Sequence, residues 1–198
     1  MSRWEPDARG RLERAALELY TERGFDQTTV AEIAKRAGLT ERTFFRHYTD
    51  KREVLFFGQG MLRDVLVDTV TAAPDEVAPI DAIGTALEAA AELMIERRDI
   101  ARQRAAVIAA NPPLQERELS KMASLATALT DALRGRGVPE PAASLTAQAG
   151  MAVFHVGFLR WIDDDNAKPL PQLMRESLDE LKAVTAARRP VHQSHEPR

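Results

Sequence analysis

Basic side chains are concentrated in one short stretch of the chain, and these are the side chains that proteins use to bind phosphate groups. Between residues 35 and 52, six lysines and arginines stand against two acids, whereas the 198-residue chain has 27 basic and 30 acidic residues and a net charge of −3. A DNA-binding protein carries its positive charge on one face rather than over its whole surface. The local excess therefore indicates a nucleic-acid contact that the total charge conceals. The six basic residues are Lys35, Arg36, Arg42, Arg46, Lys51 and Arg52.

Residue types that carry enzyme chemistry form no recognisable arrangement in this chain. Cysteine is absent, which excludes disulfides, thiol nucleophiles and thiolate metal sites. The four histidines have neither the H-x-x-x-H nor the E-x-x-H spacing of a helical metal site, and no glycine-rich phosphate loop is present. We therefore expect no enzyme activity, no metal and no cofactor.

Apolar residues recur every three or four positions through most of the chain, which predicts an all-α fold of about nine helices without a convincing strand. Capping boxes and helix-stopping glycines divide the N-terminal part into short helices. The predicted helices span residues 7–23, 30–37, 40–48, 50–72, 80–96, 99–110, 114–134, 142–162 and 173–187.

Two of the short helices flank Gly38 with the spacing of a helix-turn-helix motif. Ala34 is small enough for a close helix crossing, Gly38 four positions later tolerates a positive φ, and Phe44 supplies an apolar plug. An ordinary helical hairpin is the alternative. The polar and basic outer face of the third helix favours a DNA-binding motif.

Several segments closely resemble the N-terminal domain of TetR-family transcriptional regulators. They are Phe25-Asp-Gln-Thr-Thr-Val30, Ile33-Ala34, Ala37-Gly-Leu-Thr40, Thr43-Phe-Phe-Arg-His-Tyr48 and Asp50-Lys-Arg-Glu-Val-Leu55. The resemblance covers about residues 9–56. It implies a helix-turn-helix DNA-binding domain over 1–54 and a helical effector-binding and dimerisation domain over 55–198.

The resemblance also implies a function. The protein would be a homodimeric, ligand-responsive regulator, most simply a repressor, that leaves a palindromic operator in double-stranded DNA when a small apolar or amphipathic effector binds. An acyl-CoA is one such effector. The alternatives are a transcriptional activator and a helical protein-interaction adaptor with a vestigial DNA-binding half.

The resemblance places the third helix in the major groove. Arg42 would then bond to guanine, Glu41 would accept a hydrogen bond from cytosine, and Thr43 would contact a thymine methyl group or a phosphate. Many family members have two aromatic residues where this chain has Phe45-Arg46, so we expect Phe45 on a sugar or thymine methyl, or packed inward, and Arg46 on a phosphate. For Tyr48, a role in the core is an equal alternative. The predicted DNA-binding residues are Thr28, Thr29, Thr40, Glu41, Arg42, Thr43, Phe45, Arg46, His47, Tyr48 and Lys51.

The C-terminal half carries less specific signals, so its sites are predicted from helix faces. Small and apolar residues on the eighth and ninth helices predict a dimer interface, with packing inside the chain as the alternative. These residues are Gly150, Val153, Gly157, Leu173, Leu178 and Leu181. The fourth helix, which joins the two halves, is the expected path of the conformational signal.

An effector pocket is predicted among helices four to eight, where the aliphatic and methionine-rich side chains suit an apolar or amphipathic molecule. Its candidate residues are Met61, Val65, Met94, Arg104, Val107, Leu125, Gln148, Met151, Phe154, His155, Phe158 and Trp161. Since no stretch of about 18 uncharged apolar residues is present and the N-terminus is polar, we expect no membrane segment and a cytoplasmic location.

Overall fold

The computed structural model describes residues 7–163 and 167–186. Within these ranges the chain forms nine α-helices and no strand, which confirms the predicted fold class. Two 3₁₀ helices are also present; the first spans Glu53–Phe56 and the second spans Ile95–Arg97. The α-helices are α1 (Ala8–Arg23), α2 (Val30–Arg36), α3 (Glu41–His47), α4 (Gln59–Ala72), α5 (Pro79–Glu92), α6 (Arg98–Ala109), α7 (Pro112–Gly135), α8 (Ala142–Ile162) and α9 (Leu170–Thr185).

Side-chain caps fix the starts of the two helix-turn-helix helices. Thr29 and Glu32 form a complete capping box at α2, and the Thr40 hydroxyl accepts a hydrogen bond from the backbone N–H of Thr43 at α3. Between the two helices Gly38 has φ 66°, the left-handed conformation that glycine adopts without a steric penalty. The helix-turn-helix predicted from the sequence is therefore present.

The predicted fourth helix is interrupted. Instead of one helix over residues 50–72, Asp50 accepts a hydrogen bond from the backbone N–H of Arg52 at 2.7 Å, a 3₁₀ helix follows over Glu53–Phe56, and α4 begins only at Gln59. Val54, Leu55 and Phe56 are all buried. In the sequence they continue an apolar run, so spacing alone did not separate this short 3₁₀ helix from the α-helix that follows.

The helices enclose two hydrophobic cores. The N-terminal core is built by α1, α2, α3 and the first 3₁₀ helix, together with Val107, Ile108 and Leu114 from α6 and α7. The C-terminal core is built by α4 to α9. Because Leu55 and Phe56 belong to the N-terminal core, that core continues past residue 54, where the domain boundary was predicted.

The residues predicted to form the dimer interface face the inside of the chain. Val153, Leu173 and Leu178 are buried, and Leu181 is half-buried against the C-terminal core. A Cβ at Gly150 would collide with Ile83 of α5, and one at Gly157 would meet Met174 of α9. The intrachain alternative therefore describes these side chains. Periodicity misplaced Gly150, Val153 and Gly157 because α8 is apolar on more than one face, and periodicity does not say which face turns inward. It misplaced Leu173, Leu178 and Leu181 because the apolar stripe of α9 packs against the rest of the chain.

Helix α8 is also the one helix in the described part of the chain that is long and apolar enough to cross a membrane by length and composition. The sequence scan predicted no such segment. In the structure, however, α8 packs against α5, α7 and α9, and residues such as Phe154 and Trp161 lie in the C-terminal core. Because a core helix can be as long and apolar as a membrane-spanning one, the length and composition of α8 are weak evidence for a membrane span.

Candidate nucleic-acid interface

The outward face of α3 presents a small set of polar and aromatic side chains to solvent. Glu41, Arg42 and Arg46 are exposed, and the Phe45 side chain is 55% exposed. Behind them Phe44 is fully buried, and its ring meets that of Phe45 edge-on at 5.4 Å. The buried aromatic ring fixes α3 on the core, and the exposed side chains are left available to a partner.

The cations of the basic stretch are not equally available for binding phosphates. Arg36 pairs with Glu22 at 2.8 Å, and Arg52 pairs with Asp50 at 2.7 Å. Three of the basic side chains make no ion pair or hydrogen bond through their charged groups in the described ranges, and the last two of them lie on α3: Lys35, Arg42 and Arg46. The free positive charge is therefore half of what the sequence count indicated.

Lys51 is held inside the domain rather than presented to DNA. Its ammonium group donates to the backbone carbonyls of Phe25 at 2.8 Å and Thr28 at 2.9 Å, with a third contact to Asp26 at 3.3 Å. It also lies 4.3 Å from the centroid of the Phe25 ring. These bonds close the loop between α1 and α2, so Lys51 positions the motif and the predicted phosphate contact is corrected to this structural role.

Two further predicted contacts lie in the core. Thr28 is 1% exposed, and its hydroxyl donates to the carbonyl of Gly24 at 2.9 Å. Tyr48 is 5% exposed, and burial of its hydroxyl raises the pKa of the side chain to about 12. Neither hydroxyl can reach a phosphate, so for Tyr48 the core alternative is the correct one. Periodicity did not show this because both residues border short loops.

The threonines at the start of α3 bond to each other. The hydroxyls of Thr40 and Thr43 are 3.0 Å apart, and the Thr40 hydroxyl also caps the helix. Thr29 caps α2 in the same way while its side chain stays exposed. These threonines stabilise the two helix starts, and any contact with DNA comes in addition to that role.

His47 is partly covered on both sides of its ring. Its Nδ1 accepts a hydrogen bond from Nε of Arg9 at 3.4 Å, and its Nε2 is buried without a partner among the described residues. Desolvation, and then the charges of Arg46 and Arg9, hold the pKa of His47 below its usual value. Since Nε2 is buried and Nδ1 already accepts a hydrogen bond from Arg9, neither ring nitrogen is free for the predicted phosphate contact.

Arg11 is a positioning residue that the sequence analysis did not identify. From α1, its guanidinium donates to the backbone carbonyl of Ala37, with a longer contact to that of Gly38 at 3.5 Å. It thus ties the turn of the motif to α1. The only signal in the sequence is that Arg11 lies on the face of α1 that contacts the turn. A basic residue that points to solvent from α1 would give the same signal.

The predicted effector-pocket residues separate into groups. Four lie within the C-terminal core: Leu125, Met151, Phe154 and Trp161. Three are half-buried against that core: Val65, Met94 and Phe158. Three are exposed: Met61, Gln148 and His155. Val107 lies in the N-terminal core, and Arg104 is hydrogen-bonded to other parts of the chain.

Three of the predicted pocket residues form a row of aromatic rings. Phe158 stacks on Phe154 with ring centroids 6.1 Å apart and lies 6.0 Å from Trp161. A surface groove of about 510 Å³ lies elsewhere, between α4 and α5, and none of the predicted pocket residues lines it. The aromatic row thus connects one half-buried pocket candidate, Phe158, to two residues of the C-terminal core.

The outward face of α8 exposes a line of apolar side chains. Leu145 is 66% exposed, Val156 and Leu159 are each 49% exposed, and Ala152 is exposed between them. Leu145, Ala152 and Leu159 are seven residues apart, so they form one line along the helix. Gln148 and His155, predicted as pocket residues, border this line instead.

Two family models match the chain. One, described as bacterial regulatory proteins of the tetR family, matches residues 13–56, which include the helix-turn-helix. The other, described as the MftR C-terminal domain, matches residues 77–186, more than half of the chain.

Named relatives and solved structures resemble this chain to different extents. The regulator TcmR of Streptomyces glaucescens is 33% identical over 81 residues, which is 41% of this chain and 36% of TcmR. The chain spans little more than a third of the length of the curated relatives it matches.

The FadR repressor of Thermus thermophilus, solved with lauroyl-CoA, has a TM-score of 0.55 at 24% identity, covering 91% of this chain and 96% of that one. FadR of Bacillus subtilis, solved with stearoyl-CoA, has a TM-score of 0.62 at 16% identity, covering 87% and 96%. At these identities the structures show a shared fold.

Proposed function

Because this chain belongs to the TetR family of bacterial regulatory proteins, we propose that it is a ligand-responsive repressor that binds a palindromic operator as a homodimer. The observation that carries the proposal is the outward face of α3, where Arg42 and Arg46 stand exposed without ion pairs among the described residues. Unpaired guanidinium groups on a helix that projects from a well-packed core suit insertion into the major groove.

Each exposed residue of α3 has a distinct task in this proposal. Arg42 donates two hydrogen bonds to a guanine, and Glu41 accepts one from the amino group of a cytosine. Arg46 binds a phosphate, which sets the orientation of the helix without reading sequence. Phe45 contacts a thymine methyl group, since its ring is exposed and has no hydroxyl to bond a phosphate.

The dimer forms through the outward face of α8. Leu145, Val156 and Leu159 expose apolar surface that a second copy can cover, and Ala152 at the centre lets two α8 helices approach closely. This revises the predicted interface, because Gly150, Val153 and Gly157 occupy the inward face of α8, and the predicted leucines of α9 pack inside the chain. The protein acts in the cytoplasm, where its operator is accessible, and its activity is regulation rather than catalysis.

The effector class we propose is an acyl-CoA. Support comes from the two FadR structures of the same fold, which were solved with lauroyl-CoA and stearoyl-CoA. Within this chain, Val65, Met94 and Phe158 are half-buried against the C-terminal core and offer apolar contacts to an acyl chain. Acyl-CoA binding favours a dimer shape in which the two α3 helices no longer match one turn of DNA, about 34–36 Å.

The test is selection of DNA by the full-length protein from a pool of randomised duplexes, followed by mobility-shift titration of the selected site. We expect enrichment of a palindrome and weaker binding when lauroyl-CoA or stearoyl-CoA is added. If no sequence is enriched, the DNA-binding proposal is wrong and the adaptor alternative is favoured. If a palindrome is enriched but neither acyl-CoA changes the affinity, the proposed effector class is wrong and the DNA-binding proposal stands.

A further inference from the structure

Two polar side chains interrupt the apolar outward face of α8. Gln148 and His155 are both exposed, and neither forms a hydrogen bond or an ion pair with another described residue. Residues three and four positions apart are neighbours on a helix surface, so His155 lies between Ala152 and Leu159. By the same spacing Gln148 lies between Leu145 and Ala152. A second copy that covers the apolar line therefore covers both polar side chains as well.

The apolar line matches itself when a second α8 helix runs antiparallel to the first. Leu145 and Leu159 are each seven residues from Ala152, so a two-fold axis at Ala152 places Leu145 of one copy opposite Leu159 of the other. Each leucine is then covered by a leucine, and the two small alanines meet at the axis. Antiparallel pairing also opposes the dipoles of the two helices. The spacing of the exposed residues thus favours one register.

This register brings the polar side chains of the two copies together. Position 155 of one copy lies opposite position 149 of the other, one residue from Gln148. A glutamine amide both donates and accepts hydrogen bonds, and so does a neutral imidazole. His155 of one copy and Gln148 of the second copy can therefore bond without a charge. The interface contains two such pairs, one on each side of the axis.

A proton on His155 has no counter-ion on α8. Among residues 142–162, His155 and Arg160 are the only ionisable side chains. The Arg160 guanidinium is already bonded to Glu176 and Ser177 of α9, each at 3.0 Å. The Glu176 carboxylate is shared with Lys168 at 2.7 Å, so it is occupied by two cations.

Charged side chains on the other helices packed against α8 are engaged elsewhere or lie apart from His155. Asp179 and Glu180 of α9 are exposed, and neither bonds to His155 within the described ranges. The engaged groups are Arg175–Glu88 and Lys182–Asp81 between α9 and α5, Asp131–Arg134 within α7, and Arg102 of α6 on the carbonyl of Ile162. Protonation would thus leave an uncompensated charge on His155.

That charge is costly only when the α8 face is covered. In a single chain the His155 ring is exposed, and water solvates its charge. Between two apolar faces the charged form loses this solvation, and two charged rings also repel each other across the axis. The dimer therefore binds fewer protons than two separate chains, so a falling pH shifts the equilibrium toward monomers. Imidazole is the side chain that changes charge between about pH 5 and 8.

We propose that His155 and Gln148 of a second copy form two equivalent neutral pairs in the α8 interface, and that protonation of His155 opens the dimer. The inference rests on the proposed function, since it needs the dimer through α8. Because the dimer places two α3 helices on one operator, its loss at lower pH also releases DNA. The protein then responds to acidification independently of its effector.

The test is the dissociation constant of the full-length dimer at pH 7.5, 6.5 and 5.5, measured by sedimentation equilibrium. Each proton that the dimer excludes raises this constant by up to about tenfold per pH unit, and two such protons by up to about 100-fold. We expect a rise of about tenfold or more between pH 7.5 and 5.5. Circular dichroism at each pH checks that the helices stay folded. Subunit exchange between labelled samples gives the dissociation rate if the constant is too small to measure.

The diagnostic variant is His155→Gln, which keeps a neutral hydrogen-bonding side chain and cannot take up a proton. It should stay dimeric, with a constant that changes by less than about threefold over the same pH range. The matched control is His47→Gln, the same substitution at the other histidine of the described ranges, and it should keep the full response. If His155→Gln does not dimerise, His155→Leu, which extends the apolar line, takes its place.

A cross-linking experiment tests the α8 interface itself. Cysteine is absent from the chain, so Ala152→Cys introduces a single thiol at the proposed axis. A short bismaleimide reagent should join two chains of this variant at pH 7.5. The control is Ala123→Cys, on the exposed side of α7, which should stay single.

The outcomes separate the two proposals. A protein that is monomeric at pH 7.5, or an Ala152→Cys variant that is not cross-linked, contradicts the dimer of the proposed function. A cross-linked dimer with the same dissociation constant at pH 7.5 and 5.5 overturns the inference about His155 alone. The inference is also overturned if acidification tightens the dimer, if the neutral variant at position 155 keeps the full pH response, or if His47→Gln abolishes it.

Discussion

The outward faces of α3 and α8 differ in almost every chemical respect. The α3 face is short and carries Arg42 and Arg46 without ion pairs among the described residues. The α8 face is long and mostly apolar, with Leu145 66% and Leu159 49% exposed and no charged residue on the line that joins them. A polyanion is the natural partner of the first face, and an identical apolar face is the natural partner of the second.

The two faces also depend on different kinds of energy. In the proposed function, binding through α3 is electrostatic and weakens with salt, whereas association through α8 is hydrophobic and depends little on salt. The two contributions are linked in the proposed dimer, because pairing two chains through α8 places two α3 helices on one DNA molecule and makes the second contact intramolecular. A change on α8 should therefore affect DNA binding more than the loss of any single residue on α3.

The largest effect is expected from a charge at the centre of the α8 face. Ala152→Glu places two carboxylates against each other across the proposed two-fold axis, so the dimer should dissociate. Without bivalent binding the apparent affinity for the selected duplex should fall about 100-fold or more. Sedimentation velocity gives the oligomeric state, and mobility-shift titration gives the affinity.

The matched control for this variant is Ala123→Glu, which adds the same charge at an exposed alanine of α7. It should stay dimeric and bind DNA as the unmodified protein does. A dimeric Ala152→Glu protein would show that the α8 face is not the interface.

The next largest effects distinguish the two arginines of α3. Arg42→Ala should weaken binding to the selected duplex about 5- to 150-fold for each half-site and relax the preference for one base pair, because a bidentate guanine contact discriminates by about 1–3 kcal/mol. Arg46→Ala should weaken selected and random duplexes alike and lower the salt dependence by about 0.9 per phosphate lost. Titrations on both duplexes at several salt concentrations measure this. Identical behaviour of the two variants would contradict the assigned roles.

A smaller effect tests whether Phe45 contacts a thymine methyl group. Replacing thymines of the selected duplex by uracil removes only the methyl groups, and at the contacted position this should cost about 0.8 kcal/mol, roughly a fourfold loss of affinity. Phe45→Ala should bind the thymine and uracil duplexes equally well. If the unmodified protein binds both duplexes equally at every position, Phe45 reads no methyl group.

The N-terminal helices could be predicted closely because their signals are local. Thr40 and the Thr29–Glu32 pair cap helices from within the same four residues, and Gly38 alone fits the left-handed turn between α2 and α3. Side chains whose partners are distant in sequence were placed less well. Nothing near Lys51 shows that its ammonium group closes the loop at Phe25, and nothing near Thr28 shows that its hydroxyl is buried.

In the bundle the helices could be predicted but not the direction in which they face. The bounds of α8 were predicted correctly, yet Gly150 and Gly157 were assigned to the surface, because small residues permit close packing against any neighbour. Which neighbour it is depends on how α5 and α9 pack, and helix-packing geometry is set by the whole assembly. The same limit applies to Arg104, whose partners lie in two other elements, the first 3₁₀ helix and α7.

The smallest effect concerns a group behind the α3 face and appears in stability rather than in DNA binding. Burial, with the charges of Arg46 and Arg9, keeps the pKa of His47 below the ordinary 6.5. Above pH 6.5 this histidine is neutral in both the folded and the unfolded chain, so it adds no pH dependence there. As the pH falls below 6.5 the unfolded chain binds the proton first, and the folded state loses stability until the pH passes the lower, folded pKa.

Urea unfolding at pH 7.5 and 5.5 should therefore show a larger loss of stability for the unmodified protein than for His47→Gln. Arg46→Ala should give an intermediate loss, because removing that cation lets the pKa of His47 rise toward 6.5. An Arg46→Ala loss equal to that of the unmodified protein would mean that Arg46 does not act on His47. A His47→Gln loss equal to that of the unmodified protein would mean that His47 contributes nothing to the pH dependence.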